Sequence, residues 1–559
     1  MKKTMSKLVA GAVMVLAGFT GNAQSNLGAA CGCPTPVSSR PTVLLSTLAV
    51  SGGATDGDLL ANTILTCDKT YILDKKIFVP SGKQLTIRPG TVIKGRFRST
   101  ADSAVALIVS RGGELIANGS EDCGIVFTAE ADNLDGTYPI TNVGKWGGVV
   151  LLGRATNNLT LAANGPFVAG GGNGRLAVAD GLGVVEGFAS SSVRDQFGVN
   201  LSLGETFDDN DNSGSLKHVS IRHSGAILTV GGEINGLTLG SVGRATTLEN
   251  IEIVSCADDG IEFFGGTVNI KYCSQLFGND DMFDWDLGWK GKAQFIFGLK
   301  NNDLTGSPDS DNAFESDGDD QKSNLLPRSH PVIYNSTFIG NGKVAFTADN
   351  SGPAAIRAKE LTEGEIYNSI FANFRYGFNL TKALGTRTGT SEAYHNWANV
   401  GGNGSNSLVV KCNAFVNMLT ADFALENNGT GTVLSTDTAQ FYTTDKNIKA
   451  TSIPGFDFTF AINQTTNAVS NQIDVTPTPA LSNAGCPAYP VDGFFVPVTY
   501  RGAFDSANGA KNWLSDWSYG AVLAITQGLV DCPTDINGDG VTNNVDFLQL
   551  LGKFNQSCN

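Results

Sequence analysis

Short apolar runs on a two-residue rhythm, rather than helical spacing, organise most of this chain. Tyr71-Ile-Leu73, Ile77-Phe-Val79, Leu85-Thr-Ile87 and Val92-Ile-Lys94 follow one another with Gly, Pro or Lys between them, and residues 105–109, 115–117 and 125–128 continue the series. Runs of this length, rich in β-branched residues and bounded by turn formers, predict strands. Farther on they become copies. Tyr272-Cys-Ser-Gln-Leu-Phe-Gly-Asn279 matches Tyr334-Asn-Ser-Thr-Phe-Ile-Gly-Asn341, and residues 367–373 and 411–417 are shortened versions. Each copy ends in Asn, which tolerates a left-handed turn. Too few residues separate the runs for intervening helices, and the period is too short and irregular for propeller blades. What remains is an all-β right-handed parallel β-helix. At about 22 residues per coil, roughly 380 residues predict on the order of 17 coils.

One pattern recurs three times: Asp258-Asp259-Gly260-Ile261-Glu262-Phe263, Asp280-Asp281-Met282-Phe283-Asp284-Trp285 and Asp311-Asn312-Ala313-Phe314-Glu315-Ser316. If Ile261, Phe283 and Phe314 face the core, Glu262, Asp284 and Glu315 face outward in register, with Asp286 and Asp317 two residues on. Thr347 and Asn379 are the expected next members of the column. Carboxylates ~4.8 Å apart repel by about 3.5 kcal/mol per pair at an effective dielectric of 20. Protonation, calcium or basic neighbours must relieve this. Glu262, Asp284 and Glu315 are therefore a candidate acidic metal site, and Asp258, Asp259, Glu262 and Asp284 are candidate catalytic carboxyls.

Composition sets the compartment. The start Met1-Lys2-Lys3, the apolar stretch 8–19 and the small residues Gly21-Asn22-Ala23 form a cleavable secretory signal, assigned to residues 1–24. Cys31 lies too far past the apolar stretch, behind Gly28, to suit lipid attachment. Nothing later is apolar for long enough to span a membrane. A net charge of −15 argues against nucleic acid or an anionic membrane as partner. Ten cysteines in an oxidising compartment predict disulfides, of which Cys532–Cys558, bracketing one small module, is the pairing assigned.

The strand-rich segments, together with Arg111-Gly-Gly-Glu-Leu-Ile-Ala117, Trp146-Gly-Gly-Val-Val-Leu-Leu-Gly153 and Asp258-Asp-Gly-Ile-Glu-Phe-Phe-Gly-Gly266, resemble the large secreted bacterial β-helix proteins of the pectin-lyase-like superfamily over about residues 45 to 440. That resemblance implies the fold and no particular activity. Tyr500-Arg-Gly-Ala-Phe504 and Asn512-Trp-Leu-Ser-Asp-Trp517 resemble the closing segment of the same proteins, whose aromatics are expected to cover the last coil. Asp258-Asp259-Gly-Ile resembles an element of polygalacturonases, but their Asn-Thr-Asp, Gly-His-Gly and Arg-Ile-Lys elements do not occur here.

Residues 535–546 read as a twelve-position calcium loop, with Asp535, Asn537, Asp539, the carbonyl of Val541, Asn543 and Asp546 as ligands and Gly540 at the turn. With the following apolar run 547–554 it resembles one half of a dockerin, whose two repeats together bind a cohesin. This chain has one such repeat, bracketed by Cys532 and Cys558, and the module reads either as a calcium-stiffened terminal knob or as an attachment module with its own docking partner.

Weaker constellations carry less. His218 and His223, five apart on a strand, fall on opposite faces and make no metal pair. Asp208-Asp-Asn-Asp-Asn-Ser213 suits either calcium or plain solvation. Arg222, Lys343 and Arg375 are the cations a lyase would draw on. The domain order is a signal (1–24), a lead and N-terminal cap (25–60), a parallel β-helix (61–440), C-terminal coils and cap (441–530) and a dockerin-like calcium module (531–559). The sequence thus describes a secreted or cell-surface calcium-binding β-helix protein, a binding or adhesion rod for polysaccharide or a cell-surface component. The alternative is a polysaccharide hydrolase or lyase.

Overall fold

A computed structural model describes residues 27, 31–48, 50–99, 104–164, 166–168, 176–185, 187–188, 191–229, 232–300, 312–318, 325–342, 353–381, 393–398, 407–426, 433, 435–505, 512–523 and 525–526. The signal, the calcium loop, Cys532, Cys558, Asp311, Lys343 and Thr347 lie outside the described residues. The predicted strands pair in parallel across successive coils and build two long sheets, of 17 and 11 strands. The eleven-stranded sheet, one face of the solenoid, runs from Asp56–Asp58 to Ala421–Glu426 and includes Leu237–Gly240, Ile261–Phe264, Phe283–Asp286, Phe314–Ser316, Ala354–Ala358 and Tyr376–Thr381. Eleven strands correspond to about eleven coils rather than 17, because long excursions consume residues between coils.

The larger sheet contains the other two faces. Two strand columns in the first coils merge at Gly214–Arg222, whose first half pairs with Glu114–Asn118 and second half with Ile125–Ala129. They stay joined through Val332–Ile339 and separate again at Gly364–Tyr367 and Ile370–Ala372. Each coil bends between these faces at one residue with positive φ, a column formed by His218, Asn250, Tyr272, Phe295, Asn335, Asn368 and Cys412. A second such corner contains His223, Ser255, Phe277, Asn373 and Asn417. Asn fits these corners, but packing imposes the same geometry on His, Tyr and Phe.

The lumen is apolar and stacked. Phe283, Phe314, Phe338, Phe371 and Phe415 follow one another with ring centroids 6.2, 4.8, 5.8 and 5.4 Å apart. Each such buried side chain stabilises the fold by about 1.5–3 kcal/mol. Two excursions matter for function. Residues 153–213 carry a small antiparallel sheet, Ala177–Ala179, Leu182–Val184 and Gln196–Gly198, whose apolar side meets Phe78, Ile108 and Val150 on the outer face of the eleven-stranded sheet. The closing aromatics Phe504, Trp513 and Trp517 lie along the larger sheet rather than over the last coil, contrary to expectation. Residues 453–526 run back along that sheet: Ala503 N–H bonds Thr337, Val496 exchanges bonds with Gln294, Trp513 packs on Tyr272 and Trp517 on His218. The flat rings of Tyr272 and His218 at the corners give the returning strap its packing surface.

Disulfides fasten both ends of this arrangement. Cys31–Cys123 and Cys33–Cys67 tie the lead segment to early coils, and Cys412–Cys486 ties the strap to a late one. Cys31 is thus spent on a cross-link, and Cys256 and Cys273 are buried thiols. Disulfides agree with an oxidising compartment, and no helix among the described residues is long and apolar enough to cross a membrane.

Candidate functional site

The acidic repeats meet on the eleven-stranded sheet, beginning where the 153–213 excursion ends. Parallel register stacks Thr238, Glu262, Asp284, Glu315, Arg357 and Asn379 at one outward position. Glu262, Asp284 and Glu315 therefore share one column, and Asn379 belongs to it as expected. Arg357, which the sequence pattern did not single out, takes the place after Glu315.

The second residue of each repeat has a different task. Asp259 Oδ1 accepts the backbone N–H of Asp281 at 3.0 Å, Asp281 Oδ1 that of Asn312 at 2.6 Å, and Asn312 Oδ1 that of Ala354 at 2.8 Å. This side-chain ladder holds the turns entering successive strands in register, which is why acid and amide interchange at the position: both offer the acceptor. Asn235 occupies the rung before Asp259 and donates to Glu262. Gly260 is required by close stacking, since a Cβ there would lie 2.5 Å from the Met282 carbonyl and 2.4 Å from the Gln275 side chain.

With one oxygen of Asp259 spent on the ladder, the carboxyls still converge. Donor oxygens of Asp258, Asp259 and Asp280 lie within 4.8 Å of one another, as do those of Asp259, Glu262 and Asp284. Asp259 belongs to both groups. Burial, followed by the charges of Asp280, Asp258 and Asp284, pushes its carboxyl well above the usual range. Asp284 is pushed the same way by burial and by Glu315 and Glu262, and its Oδ1 is buried with no hydrogen-bond partner among the described residues. Asn235 Oδ1, next to Glu262, is likewise buried without a partner.

Basic side chains close one end of the column. Arg357 pairs with Glu315 at 2.8 Å, and Lys359 bridges Glu315 at 3.0 Å and Asp317 at 3.1 Å. Burial alone would raise the Glu315 carboxyl, but Lys359 and Arg357 together hold it below its ordinary value. Glu315 is thereby committed to cations, and the acids that converge are Asp259, Glu262 and Asp284. Lys300, buried under the same turns, donates to the carbonyls of Gly278 and Asp280.

Other candidates fall elsewhere. Arg222 lies on the larger sheet, bonded to Ser220 and stacked on Tyr519 under the strap. Arg375 lies over the Tyr376 ring. His218 and His223 pack edge-on against Trp517 and Tyr138. The loop 208–213 does not gather its carboxylates around a point: Asp208 accepts from Asn210, and Asp209 from Thr156 and Arg244. Among the described residues the loop forms no convergent carboxyl group, and Asp211 within it is buried rather than solvated.

A pectate-lyase-like β-helix domain matches residues 57–188 and 190–443, more than half of the chain and all of the acidic column. The chain belongs to this family. No curated protein and no solved structure matches it. Family membership agrees with a polysaccharide-related role and accounts for the parallel sheets.

Proposed function

We propose that this protein is a secreted or cell-surface polysaccharide-binding rod whose acidic face takes calcium, acting in adhesion. The observation that carries the reading is the convergence of two carboxyl groups of three on Asp259. Hard oxygen donors at this spacing, two of them pushed toward the neutral form by burial and mutual repulsion, match the coordination chemistry of calcium. A bound divalent cation would offset the repulsion and turn an acid-repelling face into one that bridges to the carboxylates of an acidic sugar. The loop 535–546 supports a second calcium site in this reading, with its own docking partner. Retention of the full chain on an acidic polysaccharide gel should need calcium, be lost in chelator, and be weakened at least tenfold by Asp259→Asn. Retention that ignores both calcium and Asp259→Asn overturns the proposal.

One observation favours a second reading, a polysaccharide-degrading enzyme. Asp284 and Glu315 occupy adjacent rungs with carboxyls displaced in opposite directions. A neutral acid beside an ionised one is the division of labour of a glycosidase. Release of reducing ends or unsaturated sugars, abolished by Asp284→Asn, would establish that reading in place of binding alone.

A further inference from the structure

A hairpin of the returning strap is bonded to a loop that rests on a buried imidazole. The loop spans residues 132–145, between the strands Ile125–Ala129 and Val149–Leu152. Asn467, at the turn of the hairpin formed by Ala461–Ile462 and Val469–Asn471, is buried against it. Asn467 Nδ2 donates to the carbonyls of Gly136 at 2.9 Å and Tyr138 at 2.7 Å, and its Oδ1 accepts the N–H of Ile140 at 3.0 Å. Beside these bonds a cleft of about 640 Å³ opens between Asp135 and Thr137 on the loop and Thr466 and Ser470 on the hairpin, so the contact is narrow. On its inner side the same loop sits on His223. The Tyr138 ring meets the imidazole edge-on at 4.8 Å, and the Asn142 carbonyl lies 2.8 Å from Nδ1.

These contacts fix the protonation state by geometry. A carbonyl only accepts, so Nδ1 carries the hydrogen and Nε2 keeps its lone pair. His223 is 0% exposed, and Nε2 is buried with no hydrogen-bond partner among the described residues. A second proton would create an N–H without an acceptor and a charge without water, both of which disfavour it. The surrounding charges do not compensate. Asp132, at the start of the loop, favours the proton, but its two oxygens already accept from the Thr128 hydroxyl at 2.6 Å and the Leu134 N–H at 2.8 Å. Arg222, the preceding residue, and Lys145, at the end of the loop, oppose it. Glu252 on the next coil and Tyr519 on the strap are engaged with Arg222. Burial, with Arg222 and Lys145 adding to it, pushes the imidazole down to about 4 from an ordinary 6.5. Because the folded value lies below the unfolded one, the fold carries no penalty above about 6.5 and loses stability as pH falls from there toward about 4.

We propose that His223 is an acid-sensitive seat for the strap: protonation at Nε2 unseats the loop at Tyr138 and Asn142 and, through Asn467, frees the hairpin. A rod closed along this face at neutral pH is loosened there by mild acid. The test is amide hydrogen exchange of the full chain at pH 7.5 and 4.5, read as protection factors so that the pH dependence of the exchange chemistry cancels. Protection in peptides covering 136–142 and 463–471 should fall by roughly fiftyfold, the ratio that a displacement from 6.5 to about 4 gives at pH 4.5. Peptides from Lys292–Leu299 should change little. His223→Asn should abolish the response, and the substitution suits the site, because Asn373 and Asn417 occupy the same left-handed corner on later coils. His218→Asn, at the other corner and against Trp517, should leave the response in place. The pH profile of the parent chain stands as a test by itself: protection in both segments that is independent of pH overturns the proposal. A response that survives His223→Asn, or that spreads equally to Lys292–Leu299, overturns it as well.

Discussion

Glu252 is the point where the returning strap is locked to the middle coils, and replacing it with Ala should release the strap alone. The side chain is 0% exposed. Its carboxylate accepts the N–H of Tyr519 at 2.7 Å, the N–H of Gly520 at 2.9 Å and the hydroxyl of Ser220 at 2.8 Å. Arg222, also buried, lies alongside with its guanidinium 4.4 Å from the Tyr519 ring centroid. Truncation leaves two backbone donors without an acceptor, at about 1–3 kcal/mol each. It also removes the acid beside the buried Arg222 guanidinium. These contributions overlap, so about 4 kcal/mol is expected, and at 1.4 kcal/mol per decade this is on the order of a thousandfold in the opening equilibrium. Amide hydrogen exchange followed by mass spectrometry should show that acceleration in peptides covering residues 512–526. Peptides from Lys292–Leu299, held by coil pairing rather than by this carboxylate, should change little. Ser220→Ala removes a donor to Glu252 and the acceptor of Arg222 Nε but leaves both strap N–H groups bonded, so it should accelerate exchange in 512–526 less than Glu252→Ala. Acceleration of less than tenfold in 512–526, or equal acceleration in both regions, would refute the account.

Two further outcomes are expected. Asp284→Asn relieves repulsion in the column and should raise or leave unchanged the melting temperature in chelator while lowering it in calcium; equal shifts in both conditions would remove calcium from this column. His330 is held between Glu363 at 3.1 Å and Glu365 at 3.6 Å, and these hydrogen bonds push it up to about 9 from an ordinary 6.5. A raised imidazole stabilises the fold fully below its unfolded value, and that contribution is lost as pH rises through about 9. The stability difference between the parent chain and His330→Gln should therefore shrink across that interval in denaturant titrations; a difference independent of pH would show that His330 is uncharged in the fold.

The strands and the acidic column were legible because both rest on local alternation. Ile261, Phe283 and Phe314 alternate with Glu262, Asp284 and Glu315, and parallel pairing turns that alternation into a column. Coil number was overestimated because dividing the length by one period counts excursions as coils, whereas within 153–213 the described strands pair antiparallel with one another. Arg357 could not be placed because its strand Ala354–Ala358 has neither the paired acids nor the outward acid of its neighbours, and only three-dimensional register brings it beside Glu315. Lys359 was hidden for the same reason. The left-handed corners were half visible: Asn373 and Asn417 signal them, whereas His218, Tyr272 and Phe295 adopt the same conformation under tertiary packing. The strap's return depends on contacts between residues such as Glu252 and Tyr519, whose separation along the chain carries no local pattern.

The fold itself explains why the acids stop after three rungs. A parallel solenoid repeats any outward side chain at the strand spacing, so every carboxylate added to a column meets the one before it at about the same short distance. Such a column persists only where each member is answered. At one end Asn235 donates to Glu262, and Thr238 precedes it in the column, neutral in both directions. At the other end Arg357 and Lys359 terminate the series by pairing with Glu315 and Asp317. Between these ends, Asp284 has no basic partner among the described residues, and Asp259 has only the backbone N–H of its ladder. The convergent carboxyls thus lie on the Ile261–Phe264 and Phe283–Asp286 strands and the turns leading into them, where the two groups meet. A purely structural column would have been neutralised by alternating signs along its whole length, as Lys217 and Glu249 are on the larger sheet at 2.8 Å. Under the proposed calcium reading, acid rungs framed by neutral and basic ends would hold the ion at one place along the column.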